Sequence, residues 1–224
     1  MRLLTGSWGS LALITQLTLR TQPLPRHRQC FAVKGGLPAL QQLRQDLLLH
    51  SPLALERLEW RHQASEISLW LSLVSLNPEG LQQQQEQLKA SVAAELNLQP
   101  LDWEPSPEVA EQGSWLLRIG VEPQRADDLL GLEAIKPWTL QLGAASGLGL
   151  ATGQAASHQV AALRQHCQLL GGYLTVLQAP QGQEIQAWGN VPARPIIEAV
   201  KRQFDPLQQL SRGRLPGVQA ALTT

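Results

Sequence analysis

"LALERLEWRHQASEISLWLSLV" occupies residues 53–74. Its two parts, LALERLEW (53–60) and EISLWLSLV (66–74), alternate like two antiparallel strands joined by a polar turn. What flanks this hairpin decides the fold. Before it, QCFAVKG (29–35) reads as a short strand, and LPALQQLRQDLLLH (37–50) sets Leu40, Leu43, Leu47 and Leu48 on one helical face. After it comes a helix from Pro78 to about Leu96, with Leu81, Leu88, Val92 and Leu96 near one stripe. Pro78 falls in the first turn, where its missing N–H costs nothing. The Gln-rich run inside that helix reads as a solvated face, because the leucines keep their period through it. A strand over residues 101–103 closes the set.

That order is strand, helix, strand, strand, helix, strand, and the second half of the chain repeats it. SWLLRIGVE (114–122) reads as a strand, RADDLLGLEAI (125–135) as a short helix, and PWTLQLG (137–143) and GLGLATG (147–153) as two strands. SHQVAALRQHCQLLGG (157–172) follows as a helix that Ser157 can cap and that Gly171 and Gly172 terminate. GYLTVLQAP (172–180) is the closing strand. Two βαββαβ units in tandem imply an α+β fold with antiparallel sheets and helices on one face, the ferredoxin-like arrangement. Residues 104–113, EPSPEVAEQG, read as the linker between the halves, about 26–104 and 113–180.

The 224 residues, 43% of them apolar, are enough for a sizeable core. Lys plus Arg total 18 and Asp plus Glu total 18, so no net field draws in nucleic acid or an anionic membrane. The longest apolar stretches, such as LWLSLV (69–74), fall far short of the roughly 20 residues a membrane helix needs. Cys30 and Cys167 form neither a CxxC pair nor a zinc spacing, which points to buried thiols in a reducing, cytoplasmic compartment.

The two ends carry the most specific signals. "TGSWGSLALITQLTLRTQPLP" (5–25) opens on a small-residue turn and runs as a strand from Leu11 to Thr21, stopping at Pro23 and Pro25. It resembles the segment that closes the FAD-binding domain of the FAD-linked oxidases of the vanillyl-alcohol oxidase type. "KRQFDPLQQLSRGR" (201–214) resembles that family's C-terminal signature, a helix ending in Phe-Asp-Pro and a loop returning to the flavin. "LRQHCQLLGGYLTVLQAP" (163–180), followed by Trp188 and Gly189, is most similar to the FAD-binding subunits of glycolate oxidase. The resemblance implies that residues 1–25 belong to an FAD-binding domain whose remainder lies ahead of position 1, that 26–200 form the cap, and that 201–224 return to the FAD site. It implies FAD as cofactor, held weakly by this chain alone, and a small 2-hydroxy acid as substrate. It also implies a cytoplasmic complex with a second flavin subunit and an iron–sulfur subunit, which could bring it to a membrane.

The family's motif places Gly6, Ser7, Gly9 and Ser10 against the FAD, with the backbone near Leu11 and Ile14 reaching the adenine side. Glycines let a backbone approach a phosphate closely, and free N–H groups and a hydroxyl can donate to its oxygens. Ser211, Gly213 and Arg214 match positions where the family has Asn, Gly and Arg or Lys, and Arg212 stands where it has Pro. Arg214 offers a planar fork of donors to a carboxylate or phosphate. No catalytic base can be named, and no His or Cys spacing suits a metal: His158 and His166 sit about two turns apart on one helix. A non-catalytic ferredoxin-like interaction module is the alternative.

Overall fold

The computed structural model describes residues 3–102, 111–183, 185–189, 191, 193–212 and 214. They fall into two units, Leu24–Gly189 and the chain's two ends taken together. The larger unit runs to Gly189, and the last helix is grouped with the ends.

The larger unit is α+β, as the periodicity implies. Its elements are β1 (His27–Lys34), α1 (Leu37–Leu49), β2 (Leu55–Gln63), β3 (Glu66–Ser75), α2 (Pro78–Ser91), β4 (Asn97–Leu101), β5 (Trp115–Gly120), α3 (Ala126–Leu130), β6 (Thr139–Gly143), β7 (Leu148–Gly153), α4 (Ser157–Leu169) and β8 (Tyr173–Gln178). The spatial order is β4-β1-β3-β2-β6-β7-β5-β8, with every pairing antiparallel. Each half is a βαββαβ unit. The edge strands β2 and β6 pair through Trp60 and Leu142, so two four-stranded sheets become one of eight strands.

Alternation puts Phe31, Val33, Trp60, Leu69, Leu71 and Leu73 of the first half, and Trp115, Leu117, Ile119, Leu140 and Leu142 of the second, into a single buried cluster. Helices α1 and α2 cover it through Leu40, Leu43, Leu47 and Leu88, and α4 covers it through Val160, Leu163 and Cys167. Burial pushes the Cys167 thiol up to about 12 and raises that of Cys30, so both are poor nucleophiles.

Leu48, expected on the buried face of α1, is exposed, and Arg44 is buried in that helix instead. Its guanidinium donates from Nε to Ala144 O at 2.8 Å and from Nη2 to Pro123 O at 2.9 Å, tying the first half to two loops of the second. The helix expected over 125–135 is broken into two short 3₁₀ turns, Pro123–Arg125 and Glu133–Ile135, with α3 between them. Gly131 caps α3, a position where continuing the helix costs about 1 kcal/mol relative to alanine.

Ser157 is the first residue of α4, and the cap is Ala156, whose N–H donates to Gln159 Oε1 at 2.9 Å. The other end is as expected: Gly171, at φ +74°, and Gly172 return N–H bonds to Gln168 O and Cys167 O, a Schellman ending. Helix α2 stops at Ser91 and β4 begins at Asn97, both earlier than periodicity suggests. Most of the expected linker, and Trp103, lie outside the described residues.

Residues 12–25 form no strand. No described strand pairs with them, and a strand without a partner has no ladder; Leu13, Leu17, Leu19 and Leu24 are exposed. Among the described residues, no helix is long and apolar enough to cross a membrane.

Candidate functional site

The sequence singles out two stretches, Gly6 to Ile14 and Ser211 to Arg214, nearly the whole chain apart. In the terminal unit they meet. Helix α5 (Arg194–Phe204) ends at Asp205, and the loop after it runs beside the turn made by residues 4–10. Gly6, Trp8 and Gly9 all take the left-handed region, at φ +83°, +56° and +68°. This winding is natural for the glycines and costs a tryptophan about 1–2 kcal/mol. Ser7 N–H donates to Leu4 O at 3.3 Å and Ser10 N–H to Ser7 O at 3.0 Å, which closes the turn. Among the described residues the N–H groups of Gly6 and Gly9 have no hydrogen-bond partner, and both residues are exposed.

The loop after α5 supplies the other wall. Ser211, at φ +40°, donates its hydroxyl to Gly9 O at 3.1 Å. The Arg214 guanidinium lies 5.5 Å from the centre of the Trp8 ring, within cation–π range. Gly213 lies outside the described residues.

Two of the expected donors are engaged within the protein. Ser10 is buried, with its hydroxyl given to Ser7 O at 2.6 Å, and the Ser211 hydroxyl is bound to Gly9 O. These two bonds close the turn and tie it to the loop. Leu11 is buried and Ile14 is exposed. The turn and the loop bring backbone N–H groups and a guanidinium into one unit, and these are the donor types that receive a phosphate or pyrophosphate.

The residue that opens the 201–214 motif, to which the sequence assigns no role, is buried in this unit. Lys201, on α5, is only 2% exposed. Its ammonium donates to Asp205 Oδ2 at 2.5 Å, Ser10 O at 2.6 Å and Leu210 O at 2.7 Å. Asp205 in turn accepts from Gln209 N–H at 2.9 Å and Leu210 N–H at 2.8 Å. The Lys201 hydrogen bond, then the Leu210 N–H, hold the Asp205 carboxyl down at about 2.

The larger unit has a site of its own on the sheet face away from the helices. A cavity of about 670 Å³ is lined by Lys34, Arg61, Glu66, Trp70, Glu111 and Gln154, among others. Charge in it is largely matched: Lys34 meets Glu66 at 3.0 Å, and Arg61 lies 3.5 Å from Glu59 with its guanidinium 4.7 Å from the Trp70 ring centre. The strand alternation held a signal for this cavity, since Lys34, Arg61, Glu66 and Trp70 are out of phase with the core leucines. His62 also lines this cavity; it is buried, and its Nδ1–H donates to Trp138 O at 2.7 Å.

No known family pattern and no curated protein matches the sequence. Among solved structures, the VAO-type flavoprotein MtVAO615 of Myceliophthora thermophila C1 is similar over 82% of this chain and 45% of its own, at 11% identity and a TM-score of 0.45. The glucooligosaccharide oxidase of Acremonium strictum is similar over 89% of this chain and 56% of its own, at 10% identity and a TM-score of 0.48. The first two RRM domains of the yeast poly(U)-binding protein Pub1 are similar over 66% of this chain and 99% of their own, at 10% identity and a TM-score of 0.25. The chain spans about half the length of the two oxidases it matches.

Proposed function

We propose that this chain is the cap and C-terminal part of an FAD-linked oxidoreductase of the vanillyl-alcohol oxidase type. It would work as a subunit resembling the FAD-binding subunit of glycolate oxidase, on glycolate or a similar 2-hydroxy acid. The observation that supports this reading is the meeting of the two end motifs: a glycine turn with open N–H groups lies beside a loop carrying Arg214. In this reading Gly6 and Gly9 present their N–H groups to the pyrophosphate of FAD, and Arg214 adds a cation. Leu11 and Ile14 lie toward the adenine.

When bound, FAD would accept the hydride that a 2-hydroxy acid loses. The protein's part is to hold the cofactor's anionic portion and to orient it. A second flavin subunit and an iron–sulfur subunit would carry the electrons onward.

The test is titration of the purified chain with FAD, followed by flavin fluorescence, against Arg214→Ala and Gly9→Val variants. Saturable binding that both substitutions weaken supports the reading, as would glycolate-dependent dye reduction by a complex co-purified with flavin and iron–sulfur subunits. Absence of binding at millimolar FAD, by a folded chain, would favour a non-catalytic ferredoxin-like interaction module.

A further inference from the structure

We infer that Lys201 is a positioning residue, a buried clasp that holds the Gly6–Leu11 turn and the 205–211 loop in register. Its consequence for FAD rests on the reading above; the clasp itself does not.

An ammonium has three N–H donors and no acceptor, and burying one costs several kcal/mol unless all three are used. Here all three are. One goes to Asp205, the C-cap four residues on, and the other two go to carbonyls of separate segments, Ser10 O and Leu210 O. The Ser10 contact joins residues 191 positions apart. Asp205 completes the arrangement by fixing the loop through the Gln209 and Leu210 N–H groups.

The loop it secures is strained. Gln208 and Ser211 are both non-glycine residues in the left-handed region, at φ +51° and +40°. Such conformations persist only where the surroundings over-determine them. Lys201 and Asp205 supply that constraint on one side, and the Ser211 hydroxyl on Gly9 O supplies it on the other. Replacing Lys201 by an apolar residue removes a fixed point from both segments and leaves the Asp205 carboxylate without its cation. Arg202, its neighbour, is exposed and bonded to Glu198 O within the helix, so it plays no part in the clasp.

The experiment is hydrogen–deuterium exchange by mass spectrometry on the full chain, comparing wild type with Lys201→Met, Asp205→Asn and Arg202→Met. In Lys201→Met, peptides over residues 4–11 and 206–211 should exchange about tenfold faster or more, while peptides within 24–189 keep their wild-type rates. Asp205→Asn should give a smaller rise in the same two segments, and Arg202→Met none. Wild-type exchange at residues 4–11 in Lys201→Met would overturn the clasp. A rise spread through 24–189 would overturn it equally, because it would make Lys201 a general stability residue.

A parallel FAD titration should show affinity weakened about tenfold or more in Lys201→Met and unchanged in Arg202→Met, a difference of about 1.4 kcal/mol. If the wild type binds no FAD, the flavin reading fails while the exchange comparison still decides the clasp.

Discussion

Arg44→Met should destabilise the protein far more than an arginine on a helix ordinarily would. The side chain is 7% exposed, and its two hydrogen bonds go to Ala144 O and Pro123 O, both in the second half of the sheet unit. Methionine keeps much of the stem packing, so the loss is confined to the guanidinium. Each carbonyl left without a donor in a buried place costs about 1–3 kcal/mol. From this is subtracted the desolvation that the charged group no longer suffers, the same burial that lowers the Arg44 pKa. A net loss of about 2–4 kcal/mol follows, and for a domain of this size each kcal/mol moves Tm by about 2–4 °C. Thermal unfolding by circular dichroism should therefore show Tm lower by about 5–15 °C. Asp127→Asn should cost much less, since Asp127 acts on Arg44 only through its charge. A Tm for Arg44→Met within about 1 °C of wild type would refute the view that this residue fixes one half against the other.

Other outcomes follow from local geometry. The Gln209 and Leu210 amide resonances should titrate together with a midpoint near 2, reporting Asp205. Because that carboxyl is depressed in the folded state, its stabilisation is complete above about pH 4 and fades as the pH falls toward 2; a midpoint near 4 in the NMR titration would contradict the buried pair. Leu47→Ala should cost about 2–5 kcal/mol in urea unfolding and Leu48→Ala well under 1, the reverse of equal burial on α1. Ser65→Gly should raise Tm by about 2–4 °C, because Ser65 sits at φ +66° in the β2–β3 turn and glycine relieves about 1 kcal/mol of strain. Gly149→Ala should disrupt the β6–β7 pairing, since an added Cβ would run into the Gln141 carbonyl; a Tm equal to wild type would show that the ladder can move.

The doubled strand-helix order was legible because it rests on periodicity, which each element displays by itself. The 53–74 hairpin and the Gly171–Gly172 ending needed no distant information. The union of the two sheets through β2 and β6 was not legible, because nothing in the pattern of a strand says which neighbour its free edge will take. The strand expected at Leu11–Thr21 failed for the related reason that alternation describes a strand's faces and is silent about its partner. In α1 the periodicity marks the buried stripe Leu40, Leu43 and Leu47, and it points to Leu48 rather than Arg44 because polarity alone assigns arginine to solvent.

Arg44 and Lys201 share a further property that explains why both escaped a reading by residue type. Each is a buried cation whose distant acceptors are main-chain carbonyls: Ala144 and Pro123 for one, Ser10 and Leu210 for the other. Every residue carries a carbonyl, so the accepting side of such a link leaves no mark in the sequence. The donor side leaves only a Lys or Arg on a helix, which is the commonest surface pattern there is. The asymmetry has a consequence for substitution. Side-chain changes at Ala144 or Leu210 that spare the backbone should leave these links in place, whereas no uncharged residue at 44 or 201 can restore them. Beyond the sheet and the core, two long-range links of this chain therefore rest on side chains that its hydrophobic pattern does not distinguish from their solvated neighbours.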